Sequence, residues 1–208
     1  SDPVNVWDAT QKLYLEHLLD RVKTIEAGQT PQVDPVLLEA FGFFLKKETQ
    51  DLEFKSRALS LPSSSIISQH VELIDPVAIY QASLGLRQEL AQNFKTDFMQ
   101  AYQTYKTTDG MYNIDAKSIG RRTFANLCLS YLSENREQEV FELLEKQIAQ
   151  HNNLTDAQSA LFALTHWDHP KRQSILDAFY HKWQNEDLLV DMWFSLQAVS
   201  NRDGVFEE

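Results

Sequence analysis

The sequence contains one cysteine, Cys128, in 208 residues. A lone thiol closes no internal disulfide, and its neighbours Leu127 and Leu129 point to a buried thiol in a reducing compartment, so the expected location is the cytoplasm. Glycine and proline are scarce, six of each, which leaves little turn chemistry and few hairpin signals. Helices must carry most of the chain. Basic residues are outnumbered 19 to 30, and the net charge of -11 disfavours both nucleic acid and an anionic membrane surface as partners. No apolar run approaches the eighteen or so residues of a membrane span, and no signal peptide or lipidation motif is present. HExxH, GxSxG, a phosphate-cradling glycine loop and CxxC are all missing.

What remains is an ordinary globular composition, 43% hydrophobic and 24% charged, in a chain long enough to bury a sizeable core. The stretch from Asp75 to Tyr105 opens with a helix start, Asp75 as cap and Pro76 in the first turn, and runs on without another breaker. Ile79, Leu86, Leu90, Phe94, Phe98, Ala101 and Tyr105 fall on one face of it. About thirty residues at 1.5 Å each predict a continuous rod of roughly 45 Å, the spine of the domain.

Upstream, Asp2-Pro3 starts a helix expected to run to Ala27, with Trp7, Leu13 or Tyr14, Leu18, Val22 and Ile25 inward and Gly28 just past its end. Asp34-Pro35 repeats that signal for a second helix through Phe41 and Leu45, Asp51 begins a third through Leu59, and Ser63 to Ser65 cap a short fourth. After a loop at Lys106 to Tyr112 containing Asp109-Gly110, helices are expected near 115–133, 136–150, 155–167, 170–184 and 187–200. Short connections make neighbours antiparallel. The prediction is an all-α chain of stacked antiparallel helices, an α-solenoid of the HEAT or armadillo kind, forming one domain over 1–208 with layers at about 1–112 and 113–208.

Candidate chemistry is thin. His166 and His169 flank Asp168 three apart, but Pro170 follows and no third ligand is spaced to join them, so a loop with a helix cap is the expected reading. His17, His70, His151 and His181 are scattered singly. Glu134, Glu137, Glu139, Glu142 and Glu145 read as a solvated helix face. Arg121 and Arg122 are expected to form ion pairs with acidic neighbours. Asn153 or Thr155 caps a helix, with Asp156 near its positive end. Trp183 and Trp193, with Phe179, Phe194 and Leu196, are expected to be core or an inter-domain contact. The chain starts without Met and stops at Glu208 after a loop, which suggests a piece of something longer.

Several segments, in order, carry a family resemblance. They are Trp7-Asp8-Ala9, Leu61-Pro62-Ser63, Ile74-Asp75-Pro76 with Ala78-Ile79, Leu86-Arg87 with Leu90-Ala91, and Gly120-Arg121-Arg122-Thr123 with Asn126-Leu127-Cys128-Leu129. Asn152-Asn153-Leu154-Thr155-Asp156 with Ala160-Leu161, and Asp191-Met192-Trp193-Phe194 with Leu196-Gln197-Ala198, complete them. Over almost the whole chain this resembles the first, larger part of the C-terminal helical domain of bacterial-type aminopeptidase N, the zinc-dependent gluzincin aminopeptidases. The resemblance implies a parent that removes N-terminal amino acids from peptides with zinc in its catalytic domain, and a helical domain that packs on that catalytic domain and encloses the active-site cavity.

The family's HExxH and GAMEN motifs have no counterpart here. No catalytic, cofactor-binding or metal-binding residue is therefore assigned, no cofactor is expected in this chain, and the piece alone is expected to be inactive. Its expected partners are the catalytic domain of the same parent chain and, through it, the parent's peptide substrates. Apolar surface uncovered by separation from the parent is expected to make the piece self-associate. The alternative is a free-standing HEAT-like adaptor that binds a protein partner.

Overall fold

The start of each helix is decided locally, by a side-chain oxygen that accepts an otherwise orphaned backbone N–H. The computed structural model describes residues 3–106, 112–149 and 153–202, and the expected Asp2 cap, the Asp109-Gly110 loop, His151 and Asn152 lie outside them. Eleven α-helices and one 3-10 turn occur among the described residues, with no strand. They are α1 (Pro3–Glu26), α2 (Pro35–Lys46), α3 (Leu52–Leu59), α4 (Ser64–Ser68), α5 (Pro76–Asn93), α6 (Lys95–Tyr105), α7 (Ala116–Leu132), the 3-10 turn Ser133–Asn135, α8 (Gln138–Ala149), α9 (Leu154–Thr165), α10 (Arg172–Trp183) and α11 (Asp187–Ala198). Asp34 Oδ1 accepts from Val36 N at 2.7 Å, Asp51 Oδ1 from Phe54 N at 2.8 Å, and Asp75 Oδ1 from Val77 N and Ala78 N at 2.9 and 3.0 Å. Asp115 and Asn153 do the same for α7 and α9. Each cap contributes about 1 kcal/mol.

Two compact units result, 1–135 and 136–208. The division falls at Asn135, and α7 stays with the first unit because it packs on α6 and on α3. That two-sided packing encloses much of α7: Phe124, Ala125, Cys128, Leu129, Tyr131 and Leu132 are all buried. Gly120 permits the approach to α3, since a Cβ there would lie 3.3 Å from the Glu53 backbone nitrogen and 3.5 Å from Leu52 Cβ.

The predicted continuous spine is corrected by the structure. Helix α5 ends at Asn93, Phe94 leaves helical geometry at φ -114 and ψ 21, and α6 resumes at Lys95. The cause is packing: the Phe94 ring stacks on Phe41 at 5.5 Å and lies over Gly42, whose missing side chain leaves room for it. Phe41 also meets Phe98 and Tyr131 edge-on and Tyr14 at 6.1 Å, and Tyr131 stacks on Phe98 at 4.7 Å. The Tyr131 hydroxyl donates to the Leu59 carbonyl at 2.7 Å, tying α7 to the end of α3. Arg87 lies 4.5 Å above the Tyr131 ring and bonds Glu134 and Ser130.

In the second unit α8 pairs with α9, and α10 with α11. Val140, Phe141, Leu144, Ala160, Leu161, Leu164 and Trp167 form its buried centre. Trp193 Nε1 donates to the Leu176 carbonyl at 2.8 Å, and Phe179 and Leu196 are buried, as core residues should be. Phe194 is not: it is exposed, with Leu188 and Val199, and Leu196 is the single buried residue of α11.

Candidate functional site

His166 and His169 do not converge. His166 Nδ1 accepts from the Asn201 backbone N–H at 3.3 Å. His169 Nδ1 accepts from the Lys171 N–H at 3.2 Å, which leaves its Nε2 to donate to Gln138 Oε1 at 3.3 Å, and its ring stacks on Phe141 at 3.6 Å. These are structural roles at the entrance to α10. Among the described residues no group of three or more His, Cys, Asp or Glu is placed to hold a metal ion. The described side chains therefore offer no ligand set for the zinc that the family resemblance attaches to the parent.

Cys128 is fully buried, and burial pushes its thiol up to about 12, away from the reactive thiolate. Lys55 is its electrostatic neighbour; the Lys55 ammonium is buried too, donates to the Lys47 carbonyl at 2.9 Å and lies 4.7 Å from the Phe124 ring. Burial lowers the Lys55 pKa from its ordinary value. Neither group has a substrate-facing opening in these contacts.

The expected ion pairs of Arg121 and Arg122 are replaced by backbone and ring contacts. Arg122 is buried and donates to the Asn113 carbonyl at 2.7 Å, its guanidinium 4.7 Å from the Tyr112 ring. Arg121 donates to the Thr104 carbonyl at 3.1 Å and sits 5.5 Å from the Tyr105 ring. Both arginines thus hold the start of α7 to segments beside it. Glu134 also departs from the solvated face assigned to it, since its carboxylate is 14% exposed and receives Arg87 Nε at 2.6 Å. On α8, Glu139 and Glu142 do stay exposed, and Glu145 meets Lys171 at 3.3 Å.

Sequence segments far apart meet at an open surface in a cleft of about 600 Å³ in the first unit. Val4, Trp7 and Gln11 from α1, Phe54 and Arg57 from α3, the connection Ser60 to Ser63, and Ile66 from α4 line it. Trp7, predicted to face inward, is 41% exposed here, and so are Val4 at 67% and Ile66 at 43%. The apolar stripe of α1 continues past the helices that cover Tyr14, Leu18 and Val22, which is why its first turns remain open. Trp7-Asp8-Ala9 and Leu61-Pro62-Ser63, two of the segments carrying the resemblance, come together at this cleft. A second shallow hollow of about 580 Å³ lies over Gly42, Phe43 and Phe94, bordered by Lys46 and Lys47.

Neither hollow is lined by a nucleophile paired with a base or by a set of metal ligands. Against known proteins, residues 1–208 match the family described as a domain of unknown function, DUF3458_C, ARM repeats. The chain belongs to that family. Aminopeptidase N of Haemophilus influenzae is 31% identical over 201 residues, covering 97% of this chain and 23% of that protein. Aminopeptidase N of Escherichia coli is 29% identical over the same length with the same coverage, and that of Caulobacter vibrioides 28% over 199 residues. The fold is shared with the crystal structure of Legionella pneumophila aminopeptidase A in complex with aspartic acid: TM-score 0.82, 21% identity, all of this chain and 25% of that one. The DUF3458_C chain thus spans about a quarter of the length of these relatives.

Proposed function

We propose that this chain is the non-catalytic helical domain of a zinc-dependent aminopeptidase N, packed on the catalytic domain of the same polypeptide, where it encloses or gates the cavity in which N-terminal amino acids are removed from peptides. The observation that carries the reading is coverage: aminopeptidase N relatives match this sequence nearly end to end, as about a quarter of a longer chain. The helices supply a scaffold for excluding water and controlling access, and no side chain here is asked to do chemistry. Zinc belongs in this reading to the catalytic domain. The parent is placed in the cytoplasm, with the single buried thiol as its support.

The test is complementation. The 208-residue chain alone should not hydrolyse an aminoacyl arylamide with zinc present; mixed with the separately produced remainder of the parent, it should restore or change turnover. Zinc-dependent hydrolysis by the chain alone, or a remainder whose turnover and peptide-length preference ignore the added chain, would overturn the proposal.

A further inference from the structure

We infer that the cleft between the first turns of α1 and the α3–α4 connection seats an apolar segment of the longer polypeptide, supplied by a part outside these 208 residues. The inference rests on the reading of the chain as one domain of a longer aminopeptidase. Its lining is apolar and uncovered, with Trp7 standing among Val4, Phe54, Leu61 and Ile66. An exposed tryptophan among aliphatic and aromatic side chains is the composition of an interface centre and not of a solvated surface.

The polar side chains at its border are already engaged. Gln11 Nε2 donates to the Ser60 carbonyl at 3.0 Å, Arg57 is paired with Glu53 at 2.7 Å, and the Ser60 hydroxyl donates to the Ser56 carbonyl at 2.9 Å. The Ser63 hydroxyl accepts from Ile66 N. Arg57 stays largely exposed at the border, while Gln11, Ser60 and Ser63 bond within the fold, so the apolar part of the lining favours hydrocarbon.

Size selects the source of the occupant. A cleft of about 600 Å³ is of the order that holds one small group, roughly 300–1,000 Å³. A second copy of the chain would have to bury about 800 Å² per partner to hold as a free-standing interface, well beyond the few side chains that line this cleft. A segment tethered in the same polypeptide needs no such area, because linkage raises its effective concentration to about the millimolar range. The relatives supply the tether: this sequence matches 23% of their length, and the other three quarters are joined to it in the same polypeptide.

Val4→Cys and Ile66→Cys, introduced one at a time into the full-length gene product, test the assignment. Maleimide labelling is followed at each cysteine-bearing peptide by mass spectrometry, native against denatured, while aminoacyl arylamide hydrolysis is read in the same sample. Cys128 is the folding control, since it labels only when the chain unfolds. A seated segment should slow native labelling at both positions at least about tenfold, independent of protein concentration. Native rates within about threefold of the denatured ones would overturn the inference, as would protection that disappears on dilution, which would put a second copy in the cleft, or a gene product no longer than this chain. Hydrolysis without protection removes the inference and leaves the aminopeptidase reading standing. Protection without hydrolysis does the reverse.

Discussion

Replacing Arg87 with alanine should destabilise the first unit by about 2–4 kcal/mol, and about half of that loss should vanish when Glu134 is removed too. Arg87 Nε donates to Glu134 at 2.6 Å and Nη2 to the Ser130 hydroxyl at 2.9 Å, and the guanidinium lies 4.5 Å from the Tyr131 ring. A hydrogen bond to a charged group contributes about 1.5–3 kcal/mol, and a partly desolvated cation over an aromatic face adds roughly 1. Alanine also strands the Glu134 carboxylate, whose side chain is only 14% exposed. A fully buried stranded charge costs about 3–5 kcal/mol, and the 29% exposure of Arg87 scales that down, which gives the range stated. Urea unfolding of Arg87→Ala, Glu134→Ala and the double variant, with the slope m held as a check on two-state behaviour, measures the cycle. The double variant should fall short of the summed single losses by about 1–2 kcal/mol. A loss below about 0.5 kcal/mol for Arg87→Ala, or additivity within roughly 0.5 kcal/mol, would refute the argument that this triad ties α5 to the end of α7.

Cys128, with its thiol pushed up to about 12, should alkylate at pH 8 at least about a thousandfold more slowly in the native chain than in the unfolded one, and prompt native labelling would contradict its enclosure. His17 carries a pKa held below its ordinary value, first by burial and then by Arg21, with Asp34, Glu89 and Asp20 pulling the other way. Its Nε2 is enclosed without a partner. A depressed base is neutral in the fold while still protonated in the unfolded chain, so stability should be full above about pH 6.5 and decline as pH drops below it. His17→Gln should flatten that decline in urea midpoints measured at pH 7.5 and 5.5; an unchanged slope would remove His17 as its source. Asn153→Ala deletes the cap on Asp156 N and the bond to the Asp156 carboxylate, at 2.9 Å each, and should lower the stability of the second unit by about 1–2 kcal/mol, with a neutral result counting against a structural role for that turn.

The helices were legible in the sequence because their starts are local events. Asp34, Asp51, Ser63, Asp75 and Asp115 cap the elements assigned to them, and a short side chain reaching two or three residues ahead needs no knowledge of the rest of the fold. Interruption of the spine is not local. Phe94 has the right period to continue a helix, and what ends α5 is a ring packed on Phe41 and over Gly42, some fifty residues earlier in the chain. Arg121 and Arg122 failed for a related reason: carboxylates were the expected partners, yet the carbonyls of Thr104 and Asn113 and the rings of Tyr105 and Tyr112 lie closer at hand.

Apolar stripes present the same problem in a form that bears on function. Periodicity marks Trp7 and Tyr14 as one stripe of α1, and Phe194 and Leu196 as neighbouring positions of α11. Packing separates them: Tyr14 and Leu196 are buried, Trp7 and Phe194 are open. Nothing in composition distinguishes Trp7 from Tyr14, because the same helical period selects both for burial, whereas Phe194 and Leu196, two apart, point to different faces of α11. In an ARM-repeat protein each repeat rests on its neighbours, so an open tryptophan set among other apolar side chains is where the inference drawn above seats a further segment. That is why the uncovered first turns of α1, and not a histidine or a carboxylate, are the part of this chain on which a functional argument can stand.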